Sequence, residues 1–463
     1  MEERLDLPRL LVAAPASGSG KTTVTCALLR AFQRRGLDPC AFKCGPDYID
    51  PMFHREVLGL PSRNLDLFFS GEDQARALLS SAGRGRGVAV LGGGMGCYDG
   101  VGGTERASSW HLARATGTPI LLVVRPQGAA LTLAAMVRGL ARFRSPGMIG
   151  GLLLNGCSRG LAELLTPMLQ RETGLPVLGW LPQLPDCAIA SRHLGLLTPG
   201  EVQGLADKVD RLASQLEETV DLEGVLALAR SAAPLPAAPS AAPPEPEGPV
   251  VAVARDRAFC FYYEDNLDLL KKLGARIRYF SPLRDQEIPP EASALYLGGG
   301  YPELHAKALS ENKTMLSSIR EAIRNGMPCI AECGGYLYLK ESIEDPDGKR
   351  WEMTGVLQGS SQDTGKLGRF GYITVTAKKG GLLGPEGTQF RAHEFHHWDS
   401  PENGTDFQAK KPVGTRGWEC GYTTESFYAG FPHLYFYSNP EIAEHFVKQA
   451  QSWREAIWEI QKE

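Results

Sequence analysis

The sequence has few of the features that mark a special class of protein. No apolar run in its 463 residues is long enough to span a bilayer, so we expect no membrane partner. It has no long basic run and a formal net charge of -4, which argues against a nucleic-acid partner. Residues 1–9 are charged and lead directly into a strand pattern, so we expect no signal peptide.

The ten cysteines lack the spacing of a structural zinc site, because none of them form a C-x-x-C pair. We expect mostly buried thiols in a reducing, cytoplasmic setting. Hydrophobic residues make up 43% of the chain and charged residues 22%, as in ordinary globular proteins. The length predicts two or three domains.

The first chemically informative motif is a phosphate loop. The apolar run at 10–14 is followed by PASGSGKTT at 15–23 and by an amphipathic helix pattern over about 24–35. Backbone amides would cradle phosphates, the Lys21 ammonium would reach the outer ones, and the Thr22 hydroxyl would hold Mg²⁺. Pro15 stands where the strict pattern has glycine, so a plain glycine turn is the alternative. The residues expected to bind ATP here are Gly18, Ser19, Gly20, Lys21, Thr22 and Thr23.

A polar turn follows the next short strand. It contains Lys43, which can neutralise a phosphate or a substrate carboxylate, and Asp47 and Asp50, whose oxygens suit Mg²⁺. The alternative is that Gly-Pro-Asp is simply a turn. A second polar cluster at 62–66, which includes Arg63 and Asn64, is predicted to face the substrate.

Strand and helix patterns then alternate as far as residue 181. Apolar runs at 87–91, 120–124, 149–155 and 177–181 are typical of parallel strands and predict a doubly wound α/β sheet. Gly92 directly follows the first of these runs, at a position where phosphate-loop enzymes usually carry an acidic Mg²⁺ ligand. Asn155 ends the third, at a carboxyl edge where it would face a nucleotide base.

Residues 231–249, SAAPLPAAPSAAPPEPEGP, mark the clearest domain boundary. Alanine, proline and small polar residues cannot build a packed core, and they predict a semi-rigid linker. We therefore expect a phosphate-loop domain at 1–230 and a second α/β domain at 250–463.

The second domain is organised around Cys333. An apolar run leads into Glu-Cys-Gly-Gly and then into a helix-like pattern, which is typical of a nucleophile elbow. The Gly334 amide would face an oxyanion, and the helix start would lower the thiol pKa. Gly299, in a glycine-rich turn after another strand, would supply a second oxyanion amide. The alternative is a buried structural cysteine.

Histidines downstream offer a base for this thiol. His433 precedes the terminal helix pattern at about 440–461 and is the base that we expect. His393, His396 and His397 lie in a strand-like segment, and their spacing fits neither common zinc pattern. We therefore expect that segment to contact substrate rather than metal.

Nine segments together resemble the cobyrinic acid a,c-diamide synthase family over nearly the whole chain. They are ASGSGKTT (16–23), KCGPDYIDPMFH (43–54), SRNLD (62–66), RHLGL (192–196), AFCFYYEDNL (258–267), LYLGGGYPELHA (295–306), AECGGYLYL (331–339), HEFHHWDS (393–400) and PHLYFYSNPE (432–441). The resemblance implies an N-terminal P-loop NTPase-like amidoligase domain, similar to dethiobiotin synthetase. It also implies a C-terminal flavodoxin-like class I glutamine amidotransferase domain.

The reaction implied by the resemblance is the ATP- and glutamine-dependent amidation of two side-chain carboxylates of a corrinoid tetrapyrrole. ATP and Mg²⁺ would be the cofactors and L-glutamine the nitrogen donor, and a homodimer is compatible with this family. Cys333 would be the nucleophile and His433 its base. Substrate or phosphate contacts would come from Lys43, Tyr48, Arg63 and Asn64, and metal ligands from Thr22, Asp47 and Asp50.

The chain departs from the family pattern at several positions. Tyr435 stands where related amidotransferases carry the glutamate that orients the histidine, and Ala331 replaces a common glycine. Gly92 and Arg125 stand where relatives carry acids, so a Mg²⁺ carboxylate is missing. Two other functions therefore stay open. One is the same reaction on hydrogenobyrinic acid or nickel-sirohydrochlorin, and the other is a nucleotide-switched binding protein with a decayed active site.

Overall fold

The structure, a computed structural model, describes residues 4–187, 199–238 and 247–460. Contacts between residues divide the chain into two compact units, Met1–Ser240 and Ala241–Glu463. Within the described residues, no helix combines the length and the apolar character that crossing a membrane requires. The RHLGL segment at 192–196 lies outside the described residues.

The first unit alternates strands and helices. Its strands are Arg4–Leu5 (β1), Arg9–Ala13 (β2), Pro39–Cys44 (β3), Ser62–Leu65 (β4), Val88–Gly92 (β5), Ile120–Val124 (β6), Ile149–Asn155 (β7), Val177–Leu181 (β8) and Leu235–Pro236 (β9). Its helices are Lys21–Arg34 (α1), Ile49–Glu56 (α2), Gly71–Gly83 (α3), Ser109–Thr116 (α4), Leu131–Arg142 (α5), Arg159–Thr173 (α6), Pro199–Thr219 (α7) and Leu222–Arg230 (α8).

Seven of these strands form one sheet in the order β4-β3-β5-β2-β6-β7-β8, and every neighbouring pair is parallel. Strand β2 is wholly buried, as expected for a central strand covered on both faces. The chain leaves β2 towards β3 and later returns to β6 on the other side. The end of β2 is therefore a topological switch point, where ligands of such sheets bind.

The first unit extends beyond the predicted boundary at residue 230. Strand β9 pairs antiparallel with β1, and the buried guanidinium of Arg9 donates to the Ala233 carbonyl oxygen at 2.5 Å. The amide of Ala238 donates to the hydroxyl of Ser80 at 3.0 Å. The linker prediction was therefore wrong for residues 231–238, because edge pairing and a buried arginine hold a segment whose composition alone predicts no packing. Residues 239–246 lie outside the described part of the chain.

The second unit is richer in short strands. They are Val250–Ala254 (β10), Phe259–Phe261 (β11), Arg276–Phe280 (β12), Ala294–Leu297 (β13), Gly299–Gly300 (β14), Cys329–Glu332 (β15), Ser342–Glu344 (β16), Arg350–Glu352 (β17), Ser360–Asp363 (β18), Arg369–Ala377 (β19), Gln389–His396 (β20), Trp398–Asp399 (β21), Phe407–Lys410 (β22), Gly417–Cys420 (β23), Tyr422–Thr424 (β24), Phe427–Gly430 (β25) and His433–Leu434 (β26). The helices are Glu264–Lys272 (α9), Ala306–Glu311 (α10), Lys313–Arg324 (α11), Gly334–Tyr338 (α12) and Glu441–Ile460 (α13).

The main sheet of this unit has the order β12-β10-β13-β15-β25-β24, in which only β24 runs antiparallel to its neighbour. Alternate residues of β10 enter two different cores: Val251 and Val253 pack in one, Ala252 and Ala254 in the other. Both faces of the sheet are therefore covered, as in doubly wound proteins. A separate antiparallel sheet, β23-β22-β19-β20-β26, brings His433 into register opposite His393.

Candidate active site

The phosphate loop occupies the turn between β2 and α1. Gly18 and Gly20 have left-handed φ angles of 78° and 95°, which glycine adopts without strain. No side chain caps the start of α1, so its first amides stay available for an anion. The Lys21 ammonium donates to the Ala16 carbonyl oxygen at 3.2 Å and so folds back over the loop. This geometry fits nucleotide phosphates.

Asn155, at the carboxyl end of β7, contacts the backbone of the phosphate loop. Its amide nitrogen donates to the Ser19 carbonyl oxygen at 2.9 Å. A Cβ at Gly20 would lie only 2.0 Å from that same nitrogen. The predicted contact between Asn155 and a nucleotide base stays a prediction, whereas its contact with the loop is direct.

The predicted acidic residues and lysine converge beside the loop. The Thr22 hydroxyl lies 3.4 Å from Asp50 Oδ2. Lys43 bonds the same carboxylate oxygen and lies 3.6 Å from Asp47 Oδ2. Burial would lower the pKa of Lys43, but Asp50 and Asp47 outweigh it and the net shift of this pKa is upward. Lys43 therefore carries its charge.

These oxygens are the donors that Mg²⁺ prefers. The described residues contain no group of three or more His, Cys, Asp or Glu side chains arranged to hold a metal by themselves. Mg²⁺ in phosphate-transfer sites commonly takes one or two carboxylates and otherwise uses phosphate and water. A donor set of Thr22, Asp47 and Asp50 fits that mode.

Gly92 ends β5 between Val12 of β2 and Lys43 of β3 in the sheet register. A Cβ at this position would meet its nearest neighbours at an ordinary 3.7 Å, so a side chain has room to start here. Asp99, which was not predicted as a site residue, accepts the Gly96 amide at 3.0 Å. Burial lowers the pKa of Lys21, and Asp50 and Asp99 oppose this shift only in part. Asp99 is an additional acid near the loop.

The remaining predicted contact residues lie close to this turn. Asn64 is buried, and its amide nitrogen donates to the carbonyl oxygens of Gly45 (2.9 Å) and Asp47 (2.8 Å). It therefore holds the turn that carries Asp47. Tyr48 is buried directly before α2, and Arg63 is half-buried in β4. Substrate contact by Tyr48, Arg63 and Asn64 stays a prediction.

Cys333 lies on a sharp turn between β15 and α12, with a φ angle of 47°. A residue with a Cβ adopts this left-handed conformation only under strain, as in other nucleophile elbows. The following glycines are required by packing, because a Cβ at Gly335 would lie 2.1 Å from the Leu297 carbonyl oxygen. A Cβ at Gly334 would lie 2.9 Å from the Gly300 amide nitrogen.

His433 reaches the elbow through strand pairing. The Cys333 amide donates to the Gly430 carbonyl oxygen at 2.8 Å, at the end of β25, and His433 follows in β26. A Cβ at Gly299 would lie 2.5 Å from Cε1 of His433, so the imidazole packs directly on Gly299. Burial lowers the pKa of His433 to about 4, which leaves it neutral and able to accept a proton.

The resting thiol is not activated by its helix. Burial raises the pKa of Cys333 well above its ordinary value, Glu303 adds to the rise, and the Gly334 amide opposes it only in part. The expectation that the helix start would lower this pKa was wrong, because α12 spans only five residues and the thiol is buried. A base must therefore take the proton.

The histidine-rich strand β20 lies next to the thiol, and Cys333 Sγ is 3.9 Å from the Phe395 carbonyl oxygen. His396 stacks on Phe431 at 3.7 Å and contacts the Glu394 carboxylate at 3.3 Å. Burial lowers the pKa of His393 to about 3. The sequence analysis missed two acids here, Glu394 and Glu332. Glu332 lies 3.8 Å from the imidazole of His433.

Two family profiles match the chain. Residues 10–196 match a profile described as the CobQ/CobB/MinD/ParA nucleotide binding domain. Residues 250–441 match one described as the CobB/CobQ-like glutamine amidotransferase domain. These matches confirm the predicted fold class, a P-loop domain followed by a glutamine amidotransferase domain.

Full-length relatives agree with this division. A cobyrinate a,c-diamide synthase of Clostridium tetani is 37% identical over 446 residues, which cover 95% of this chain and 99% of the relative. Those of Clostridium acetobutylicum (39% over 446 residues, 95% and 99%) and Listeria innocua (39% over 443 residues, 94% and 97%) are similarly close. At this identity and coverage, the chain belongs to the cobyrinate a,c-diamide synthase family.

Proposed function

We propose that this protein is a carbon-nitrogen ligase that amidates the a and c side-chain carboxylates of cobyrinic acid in cobalamin biosynthesis, with ATP and glutamine as co-substrates. The observation that carries the proposal is the presence in one chain of a phosphate loop with Lys21 and of a strained Cys333 elbow with the His433 imidazole packed on the nearby Gly299. Each site alone supports half of the reaction.

The second unit would release ammonia from glutamine. His433 takes the proton of the Cys333 thiol, and the thiolate attacks the side-chain carbonyl carbon of glutamine. Backbone amides near Gly334 and Gly299 stabilise the oxyanion. The proton passes to the leaving nitrogen, ammonia departs, and water hydrolyses the thioester to glutamate. Ammonia is delivered unprotonated, whereas ammonium in neutral solution is not nucleophilic.

The first unit would activate the carboxylate, which is by itself a poor acyl donor. Transfer of the γ-phosphoryl group of ATP to a carboxylate oxygen gives an acyl phosphate, with charge at the phosphates offset by Lys21. Ammonia then attacks the acyl carbon and phosphate leaves. Thr22, Asp47 and Asp50 would hold Mg²⁺, which supplies further neutralisation of phosphate charge. Lys43 keeps the two carboxylates in place.

Product mass tests the proposal. We expect cobyrinic acid incubated with the full chain, ATP, Mg²⁺ and glutamine to gain two amides, and to gain none when ATP is omitted. Hydrogenobyrinic acid and nickel-sirohydrochlorin are assayed in parallel, and faster conversion of either one would reassign the substrate. A protein with neither ATPase nor glutaminase activity would instead be a nucleotide-switched binding protein. Cytoplasmic location and a homodimer stay predictions.

A further inference from the structure

The proposed glutaminase lacks an acid at the position that usually orients the histidine. Tyr435 occupies this position, two residues after His433. Its hydroxyl lies 3.3 Å from Asp265 Oδ2, and its ring packs edge-on against Tyr263 at 5.1 Å. The phenol oxygen is thus directed towards the start of α9.

A carboxyl group approaches the imidazole from another strand. Glu332 is the last residue of β15, directly before Cys333, and is 1% exposed. Its Oε2 lies 3.8 Å from Nδ1 of His433. Its Oε1 accepts the Tyr296 hydroxyl at 3.0 Å, and the backbone amide of Leu434 opposes the rise that burial causes in the pKa of this carboxyl group. The glutamate is therefore fixed on one side and faces the histidine on the other.

The histidine segment is held by the same surroundings. The side-chain amide of Asn266 donates to the Leu434 carbonyl oxygen at 2.8 Å, and its oxygen accepts the Phe436 amide at 2.8 Å. Packing of the His433 ring on Gly299 limits its rotation. Neither partner of the contact between Glu332 and His433 can move away without breaking buried hydrogen bonds.

We propose that Glu332 is the positioning acid of the glutaminase. It faces Nδ1 of His433, leaves Nε2 to take the proton from Cys333 Sγ, and stabilises the imidazolium that results. This inference rests on the proposed roles of Cys333 and His433. With Glu332 ionised, the proton moves from sulfur to Nε2, Nδ1 keeps its own proton, and the carboxylate takes up none, as in other acid-histidine-nucleophile triads.

The separation of 3.8 Å suits a contact that strengthens during the reaction. This distance is longer than that of a hydrogen bond, so the contact contributes little stabilisation while the imidazole is neutral. Once the imidazole is charged, attraction in this buried site grows and the contact can shorten. Burial raises the pKa of Glu332 to about 8, so the ionised carboxylate that the triad requires forms as the pH rises through this value, and a positive charge on His433 favours it further. After burial, His396 lowers the pKa of His433 further and Glu394 raises it.

Kinetics of Glu332→Gln in the full chain test the assignment. Glutamine keeps the shape and an acceptor for Tyr296 but presents no negative charge to His433. We expect kcat for glutamine hydrolysis to fall on the order of 10²- to 10⁴-fold with little change in KM, as when triad acids are neutralised. Ammonia-dependent amidation should stay at the wild-type level. Glu332→Asp, which keeps the acid, should retain more of kcat than Glu332→Gln.

Two further variants sharpen the test. Tyr435→Phe is the matched control and should keep the wild-type kcat. A wild-type kcat in Glu332→Gln, or a fall in Tyr435→Phe of the same size, overturns the assignment. If Glu332→Gln does not fold, Glu332→Asp decides, since a folded aspartate variant without glutaminase activity also overturns it. Retained glutaminase in Cys333→Ala would instead refute the proposed function.

Discussion

The side-chain amide of Asn155 occupies the space that a side chain at Gly20 would need. Its nitrogen donates to the Ser19 carbonyl oxygen at 2.9 Å and would lie 2.0 Å from a Cβ at residue 20. The phosphate loop is therefore shaped by a strand that lies far along the chain from it, and the two residues depend on each other.

Gly20→Ala should impair nucleotide binding more than Gly18→Ala does. Both positions have a left-handed φ, so alanine costs each about 1–2 kcal/mol of conformational strain. At Gly18 nothing lies within 4 Å of the added Cβ, whereas at Gly20 the new carbon displaces Asn155. We expect a larger increase of KM for ATP in Gly20→Ala, measured by ammonia-dependent amidation. Equal effects would show that Asn155 does not shape the loop.

Cys333→Ala should abolish glutamine-dependent amidation and leave ammonia-dependent amidation intact. Glutamine-dependent amidation should fall on the order of 10³-fold or more, because no thioester can form. Activity with concentrated ammonium at raised pH should persist, because the ligase residues belong to the other unit. His433→Ala should behave in the same way, whereas the exposed His397→Ala should not. If His393→Ala mimics Cys333→Ala and His433→Ala does not, the base is misassigned.

Lys21→Ala should abolish amidation with either nitrogen source while leaving glutaminase activity measurable. The ammonium folds over the phosphate loop, and without it the charge of the transferred phosphoryl group is not offset. The matched control is Lys208→Ala, a lysine of α7 in the same unit. Full ammonia-dependent activity in Lys21→Ala would refute the phosphate-loop assignment.

Several strands could be read directly from the sequence. Ile120–Val124, Ile149–Asn155 and Val177–Leu181 have the predicted bounds, because well-delimited runs of strand-forming residues specify a strand locally. The antiparallel sheet around β19 and β20 was not predicted as such. Its register depends on contacts between distant segments rather than on local pattern.

The candidate active site likewise has features that a local sequence pattern predicts and features that depend on contacts between distant segments. The elbow at Cys333 was predictable, because glycines after a strand-borne nucleophile form a local pattern. The approach of Glu332 to His433 was not, because it depends on the pairing of β15 with β25 and on the path of the chain into β26. The helix effect on the thiol was overestimated because the sequence does not show how deeply Cys333 is buried.

Gly92→Glu should lower the Mg²⁺ concentration that gives half-maximal amidation. The Cβ has room, with neighbours at 3.7 Å, and the carboxylate would add a charged ligand near Thr22. A charged interaction of roughly 1.5–3 kcal/mol corresponds to a change of roughly ten- to hundredfold. Gly92→Gln is the control of equal size without charge. An unchanged or higher Mg²⁺ requirement in Gly92→Glu contradicts the missing-ligand hypothesis.

Glu303→Gln should remove a pH-dependent loss of stability. Burial raises the pKa of Glu303 from 4.5 to about 8, so the folded protein keeps a proton that the unfolded chain has lost. This contribution is complete below pH 4.5 and disappears as the pH rises through about 8. Between these values the unfolding temperature of the wild type should fall relative to Glu303→Gln. The exposed Glu311→Gln should show no such trend.

The burial of the cysteines has a practical consequence for spectroscopy. Nine of the ten, Cys333 included, are buried, and only Cys260 on β11 is half-buried. Maleimides and related reagents react with accessible thiolates, so the native protein should accept a fluorophore or spin label first at Cys260. A single probe could thus be attached beside the glutaminase unit's β11–β14 pair without removing any other cysteine.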